Sequence, residues 1–264
     1  MLDFRQSINL SVFGALKGVW PFTGFLIGAS LLSPSNALAH VIGTEIDFFD
    51  TPQQVGDPAG MGIPNASEVQ GAGMILGDYR DIQAINDGSM DPLSTTVSVN
   101  GGILSFSNNS VSAGSAFITW DGNDSPLTVD HTGLGGFDLT QGGEAIDFEV
   151  EILSSDLSGM ELTLSVFDMN NNTSTLSRLF DSAIMTQRVE DFSFSDFTGT
   201  ADFTNIGAIQ LGIFGPAEID VQIGSIETFG PHAQGPLPVP EYSSSLALLS
   251  GAMLLVASRK IRRQ

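Results

Sequence analysis

Cysteine is absent from the 264 residues of this chain. No disulfide can therefore stabilise the fold, and thiol catalysis, cysteine–zinc sites and thiol redox sensing are excluded. The fold has to rely on a hydrophobic core large enough to hold it together without cross-links.

Positive charge is nearly missing from the middle of the chain. Residues 40–240 contain 28 Asp and Glu residues and three basic residues, Arg80, Arg178 and Arg188, which gives a net charge of about −25. Nucleic acids and anionic lipid surfaces are bound through Lys and Arg, so neither is expected as a partner. With so few cations present, Arg80 is predicted to form an internal ion pair, and a sugar-binding role beside Tyr79 is the alternative. Salt or divalent cations would relieve the self-repulsion.

Histidine is also scarce, with only His40, His131 and His232. A Ser-His-Asp triad would depend on His131, which lies in a glycine-rich turn with no nucleophile elbow nearby. Carboxylate pairs for glycoside hydrolysis can be drawn from the 28 acids in many ways, so none is singled out. A non-enzymatic protein is the first expectation, and a polysaccharide hydrolase is the weakest alternative.

Long amphipathic helical patterns are missing as well, and apolar residues recur with a period of two. The alternation is clearest over residues 146–152, 162–166 and 219–223. Further strands are predicted over residues 44–49, 95–99, 103–107, 115–120 and 208–214. Glycine, asparagine and aspartate turns separate these short strands. The pattern predicts an all-β fold, an antiparallel β-sandwich resembling a jelly roll, over residues 40–229.

Two segments lack this alternation. Residues 51–73 are rich in Gly, Pro, Gln and Asn and are predicted to form a long surface loop. Residues 230–240 contain four prolines and are predicted to form an extended, semi-rigid spacer.

The N-terminal segment 1–39 has the parts of a secretory signal peptide. A positively charged start precedes an apolar stretch over residues 18–32, and Ala37 and Ala39 provide the small residues of a cleavage site. The mature protein is predicted to begin at His40, with an uncut N-terminal anchor as the alternative.

The C-terminal segment 241–264 contains a candidate membrane helix. An uncharged run over residues 243–258 is followed directly by a basic end. Sixteen residues form about 24 Å of helix, and the flanking cations extend its reach towards the roughly 30 Å of the hydrocarbon core. The cations are expected on the cytoplasmic side. A buried core helix is the alternative.

This tail, with Val239, Pro240 and Glu241 before the helix, resembles the PEP-CTERM class of exported bacterial proteins. It departs from the class at Tyr242, where a second proline is usual. The resemblance implies an exosortase-type membrane protease as partner. It also implies a location in the cell envelope or outside the cell, with transient or permanent anchoring by the C-terminal helix. Exopolysaccharide of the biofilm matrix is a further partner that it suggests.

The core itself is similar to extracellular carbohydrate-binding modules of the jelly-roll type. The motifs that carry this likeness are short and lie at residues 77–82, 101–107, 120–122, 194–197 and 204–209. The resemblance implies the sandwich fold and makes a carbohydrate-binding or Ca²⁺-dependent adhesion module the main functional alternative.

Trp120 is the one tryptophan between the two terminal segments, and a polar turn follows it. A ring beside Asp121, Asn123 and Asp124 would suit the stacking of a sugar. A tryptophan that packs into the end of the sandwich core is the alternative.

Two acidic segments resemble the start of a Ca²⁺ loop but break its pattern. The loop starting at Asp168 has Thr173 where the pattern needs glycine, and the loop starting at Asp121 has Pro126. Both are predicted to be hairpin turns. A structural Ca²⁺ held by loop carbonyls and one or two acids is the one cofactor that the sequence suggests. The pattern does not identify its ligands.

Overall fold

A computed structural model describes residues 41–58, 64–88 and 94–230. The predicted signal peptide with Ala37 and Ala39, most of the proline-rich spacer, and the sorting tail with Val239, Pro240 and Glu241 lie outside these ranges. None of the helical segments in the described ranges has the length and apolarity of a membrane span.

The described chain consists of β-strands with three short 3-10 helices. The strands are β1 (Val41–Asp47), β2 (Gln53–Pro58), β3 (Asn65–Gln70), β4 (Tyr79–Asn86), β5 (Ser94–Val99), β6 (Leu104–Ser107), β7 (Gly114–Trp120), β8 (Asp147–Ser155), β9 (Met160–Asp168), β10 (Thr173–Phe180), β11 (Arg188–Ser193), β12 (Thr198–Gly199), β13 (Ile206–Gly215) and β14 (Asp220–Gly230). The 3-10 helices are Leu76–Asp78, Gln141–Gly143 and Phe194–Asp196.

The strands form two antiparallel sheets. Sheet A has the order β11-β8-β14-β6-β5-β2, and β1 also pairs with β14. Sheet B has the order β12-β10-β9-β13-β7-β4-β3. Apolar side chains from both sheets join one buried core, so the predicted all-β antiparallel sandwich is confirmed.

Strand register explains the core. Four residues on neighbouring strands of sheet B lie opposite one another, are fully buried and form one row of the inner face: Ile82, Ile118, Leu211 and Leu164. Because side chains alternate along a strand, the residues on either side of each of them point to the outer face of the sheet.

The predicted surface loop over residues 51–73 is wrong, because β2 and β3 lie within it. Each is the last strand of its sheet, and no other described strand pairs with its outer edge. Backbone pairing with β5 and with β4 holds them there. Their side chains are largely polar and half-buried, so the apolar alternation that marks an inner strand is missing.

The predicted internal ion pair of Arg80 is confirmed. Its Nη1 donates to Asp47 Oδ2 at 2.9 Å, and both side chains are fully buried. Arg80 Nε donates to Gln53 Oε1 at 2.8 Å, and Trp120 Nε1 donates to the same Asp47 oxygen at 3.0 Å. The charges are thus surrounded by hydrogen bonds, which a buried ion pair needs if it is not to destabilise the fold.

A long segment, residues 121–146, connects β7 to β8. It is hydrogen-bonded to β13 of sheet B, where Leu134 N donates to Gly207 O at 2.8 Å. Gly133 lies so close to the start of the segment that a Cβ there would be 1.3 Å from the carbonyl oxygen of Asp121. The close approach therefore requires glycine.

Candidate functional site

Four carboxylates meet where the 121–146 segment leaves β7. We call Glu68, Asp81, Asp121 and Asp124 the acidic cluster. Glu68 on β3 and Asp81 on β4 are directly opposite in the antiparallel register. One oxygen each from Glu68, Asp81 and Asp124 lies within 4.8 Å of the other two. Like charges so placed on neighbouring strands repel each other.

The acidic cluster is only partly supported by hydrogen bonds. Asp124 N donates to Glu68 Oε2 at 3.0 Å, and Asp130 N donates to Asp121 Oδ2 at 2.8 Å. Asp81 and Asp121 are each only 1% exposed. Both oxygens of Asp81 and the Oδ1 atoms of Asp121 and Asp124 have no hydrogen-bond partner within the described ranges.

Burial and mutual repulsion change the acidity of these groups. Burial, followed by the negative charges of Asp121, Asp124 and Glu68, raises the pKa of Asp81 to about 8. Burial also raises the pKa of Asp121 to about 7, against the lowering effect of the Asp130 backbone hydrogen bond. The pKa of Asp124 is raised for the same main reason, burial. Without a compensating cation the cluster therefore resists full ionisation at neutral pH.

The acidic cluster does not fit the carboxylate pair of a glycoside hydrolase. Such pairs stand about 5 to 9.5 Å apart with the glycosidic bond between them. Here three carboxylate oxygens lie within 4.8 Å of one another, and Asp81 is buried, so a sugar ring cannot enter between them.

A pocket lies at the other end of the same segment. It has a volume of about 820 Å³, within the range of small-molecule sites. We call it the loop pocket; its lining includes Asp138, Thr140, Ile146, Ser193, Phe194, Ser195 and Thr204. None of the described lining residues is basic.

Two large apolar side chains, Ile146 and Phe194, belong to the lining of the loop pocket. Ile146 directly precedes β8 and is 42% exposed, although the sequence pattern predicted it as a buried strand residue. Phe194 packs edge-on against Phe148 of the core with ring centroids 5.1 Å apart. The apolar surface is therefore open on the side of Ile146 and rigid on the side of Phe194.

Four hydroxyl side chains also line the loop pocket: Thr140, Ser193, Ser195 and Thr204. The Oγ atoms of Ser193 and Ser195 lie 3.1 Å apart and have each other as a hydrogen-bond partner. Asp138 is already engaged, since Thr140 Oγ1 donates to its Oδ1 at 2.6 Å and Gly142 N to its Oδ2 at 2.9 Å. The hydrogen bond from the Thr140 side chain is the main cause that lowers the pKa of Asp138, which keeps this carboxylate ionised.

The four residues predicted as a sugar-binding group do not form one surface. Trp120 is fully buried and hydrogen-bonded to Asp47. It therefore packs in the core, which was the alternative to sugar binding, and its ring cannot stack on a ligand. Asp121 and Asp124 lie in the acidic cluster. Asn123 between them is exposed.

The two predicted hairpin turns have different outcomes. The turn after Asp168 does join paired strands β9 and β10, and Asp168 Oδ1 accepts from Asn170 N at 2.8 Å. The turn after Trp120 was wrong, because Asp121 begins the long segment to β8. The next strand starts 27 residues after Trp120. A pattern confined to the residues around Asp121 could not indicate so long a connection.

Most residues of both sites could not be found from sequence. Glu68 lay in a segment predicted to be a loop, and Asp81 lies on a strand without apolar alternation. Ser193 and Phe194 reach the loop pocket only through tertiary packing. The signals available in the sequence were the neighbouring acids Asp121 and Asp124 and the short motifs at residues 77–82, 194–197 and 204–209, which include other members of the two sites.

Comparisons with known proteins show only distant likenesses. No family model matches the chain, and no curated protein matches it. Among solved structures, the chain is similar to TmCBM61 in complex with β-1,4-galactotriose, at 11% identity over 69% of this chain and 90% of that one, with a TM-score of 0.32.

Two further solved structures are similar to the chain at comparably low sequence identity and TM-score. One is the family 11 carbohydrate-binding module of the cellulase Lic26A-Cel5E of Clostridium thermocellum, at 11% identity over 74% of this chain and 96% of that one, with a TM-score of 0.33. The other is a carbohydrate-binding module of the β-sandwich superfamily, at 7% identity over 72% and 63%, with a TM-score of 0.35. At this distance the likeness says nothing about what the present chain binds.

Proposed function

We propose that this domain is a non-enzymatic binding module of an exported envelope protein, and that the loop pocket holds a neutral sugar unit of a polysaccharide. The observation that carries the proposal is the lining of the pocket, which combines the apolar side chains of Ile146 and Phe194 with four hydroxyl side chains and includes no basic residue among its described members. A sugar ring has an apolar C–H face and a rim of hydroxyls, which match these two surfaces.

Charge selects among ligands. The domain carries a large excess of acids over bases. A polyanion would be repelled by this field, and the pocket offers it no described cation. A neutral glycan is not repelled, and the serine hydroxyls can both donate to and accept from it.

Catalysis is not part of the proposal. In the described ranges, the acidic cluster contains the one group of three or more acids whose carboxylate oxygens lie within 4.8 Å of one another, and its geometry is unsuited to glycoside hydrolysis. The one carboxylate of the loop pocket, Asp138, is occupied by hydrogen bonds from its own loop.

A glycan array tests the binding function. Full-length protein in detergent is applied to immobilised neutral and acidic oligosaccharides at physiological salt. We expect binding to neutral glycans and none to sulfated or uronic ones. An array on which only acidic glycans bind, or none binds, contradicts the proposal.

Export is tested separately by intact-mass measurement on protein from the envelope fraction. The proposal expects a chain that begins at His40, as Ala37 and Ala39 predict. A chain that begins at Met1 contradicts the signal peptide, and leaves the binding proposal for the array to decide.

A further inference from the structure

The outer face of β4 holds a carboxylate that no described residue neutralises. Asp81 is 1% exposed, and neither of its oxygens receives a hydrogen bond from the described part of the chain. An oxygen of its side chain lies within 4.8 Å of oxygens of Glu68 and Asp124. Buried charges in folded proteins are paired or bound to metal ions, so Asp81 needs a positive partner.

A second buried oxygen has the same need. Asp121 follows β7 and is also 1% exposed. Its Oδ2 is held by Asp130 N at 2.8 Å, whereas its Oδ1 has no partner within the described ranges. One oxygen is therefore fixed by the backbone, and the other is left for a ligand.

None of the three arginines in the described ranges fills this role. Arg80 points into the core and pairs with Asp47. Arg178 and Arg188 both pair with Glu190. Since no described arginine neutralises Asp81, a cation from solution is the candidate partner.

A proton would satisfy the buried carboxylates less completely than a metal ion. A proton shared between Asp81 and Asp124 would satisfy one oxygen of each. It would leave the second oxygen of Asp81 and the Oδ1 atom of Asp121 without a partner in the described ranges. A divalent cation satisfies several carboxylates at once.

The ligand atoms indicate which cation. They are carboxylate oxygens, the ligands of hard cations such as Ca²⁺ and Mg²⁺. Oxygens that bind one Ca²⁺ at 2.3–2.6 Å are at most about 5 Å apart, and the three oxygens here lie within 4.8 Å. Ca²⁺ accepts irregular carboxylate cages, whereas Mg²⁺ demands near-octahedral geometry and keeps most of its water.

We propose that Glu68, Asp81 and Asp124 coordinate a Ca²⁺ ion, with Asp121 supplying a fourth negative charge beside it. The ion would connect edge strand β3 and strand β4 to the start of the 121–146 segment. The other end of that segment forms a wall of the loop pocket, but the proposal does not depend on what the pocket binds.

The test is thermal melting of the full-length protein after treatment with EDTA. CaCl₂ is titrated in, with MgCl₂ and with NaCl at equal ionic strength as parallel series, and calorimetry counts the ions bound. A specific site predicts one Ca²⁺ per chain and a melting temperature that rises with the logarithm of Ca²⁺ concentration, beyond the rise in NaCl.

Variants assign the effect to the cluster. Asp81→Asn should abolish the Ca²⁺-dependent rise and, in EDTA, melt no lower than the wild type, because it removes an unpaired buried charge. Glu68→Gln, on the half-buried edge strand, should weaken Ca²⁺ binding at least tenfold. It provides the test if Asp81→Asn does not fold. Asp181→Asn, the same change at an exposed position, should respond to Ca²⁺ as the wild type does.

Three results would overturn the proposal. One is a Ca²⁺ effect no larger than that of NaCl. Another is an undiminished Ca²⁺ effect in Asp81→Asn or Glu68→Gln. The third is an equal response to Mg²⁺, which would remove the assignment to Ca²⁺.

Discussion

Arg80 and Asp81 are neighbours on β4, and both are buried, but in the described ranges only the Arg80 side chain has hydrogen-bond partners. Arg80 points inward to Asp47 at 2.9 Å, whereas Asp81 points outward to further acids. One strand thus carries a satisfied charge on its inner side and an unsatisfied charge on its outer side. The first contributes to holding the sandwich together, and the second provides the proposed ion site.

The inner pair gives a stability prediction. Arg80→Ala leaves Asp47 buried without its counter-charge, so we expect a loss of about 3–5 kcal/mol in the free energy of unfolding, measured in urea. Arg188→Ala removes an arginine whose side chain is 51% exposed and should cost less than about 1 kcal/mol. Similar losses in the two variants would contradict the importance assigned to burial.

Asp168 gives a pH prediction. It is fully buried, and burial alone would raise its pKa. Hydrogen bonds from Asn172, first its side chain and then its backbone, and from the backbone of Asp202 and Asn170 outweigh burial and lower the pKa to about 2 from 3.8. A lowered folded-state pKa means that the stabilisation is complete above about pH 4 and is lost as the pH falls towards 2.

The variant Asp168→Asn isolates this contribution. It should lower the free energy of unfolding at pH 6 by about 2 kcal/mol, because charge-assisted hydrogen bonds are lost. The difference from the wild type should shrink as the pH falls to about 2. Urea unfolding at both pH values measures it. A difference that does not vary with pH would mean that the charge of Asp168 contributes nothing.

Sequence patterns predicted the inner strands and failed at strands with polar inner faces. β8 and β9 alternate clearly because their inward positions are apolar and buried and most of their outward positions are polar. β4 was missed because Arg80 occupies an inward position and Asp81 is a buried outward one. β10 was missed because Ser174 and Arg178 interrupt its alternation. These residues depend on partners distant in sequence, which a periodicity cannot show.

The two sites were less predictable than the fold. Asp121 and Asp124 were predicted as sugar-binding residues because they follow Trp120 in a polar turn, and not as metal ligands. Glu68 joins them only through the pairing of β3 with β4. Trp120 was a reasonable candidate for sugar binding, but its hydrogen bond to Asp47 lies across the core. Contacts between residues distant in sequence, and not local composition, determine where Glu68 and Trp120 lie and which residues surround Asp121 and Asp124.

Gly133 is predicted to control the 121–146 segment. In Gly133→Ala the added Cβ would overlap the carbonyl oxygen of Asp121, so the backbone must move. We expect a lower melting temperature and weaker Ca²⁺ binding than in the wild type. In Gly56→Ala the nearest atom to the new Cβ is 3.5 Å away, so its melting temperature should stay close to that of the wild type. A Gly133→Ala protein that melts like the wild type would contradict the close packing of this segment.

The most direct test of the account is calorimetric titration of the neutral glycan that gives the strongest array signal. Ile146→Trp fills the loop pocket from an exposed position and should reduce glycan affinity at least about tenfold, or about 1.4 kcal/mol. Leu179→Trp places the same ring at a position 58% exposed on β10 and should leave affinity unchanged. Equal affinity in the wild type and in Ile146→Trp would show that the loop pocket is not the binding site.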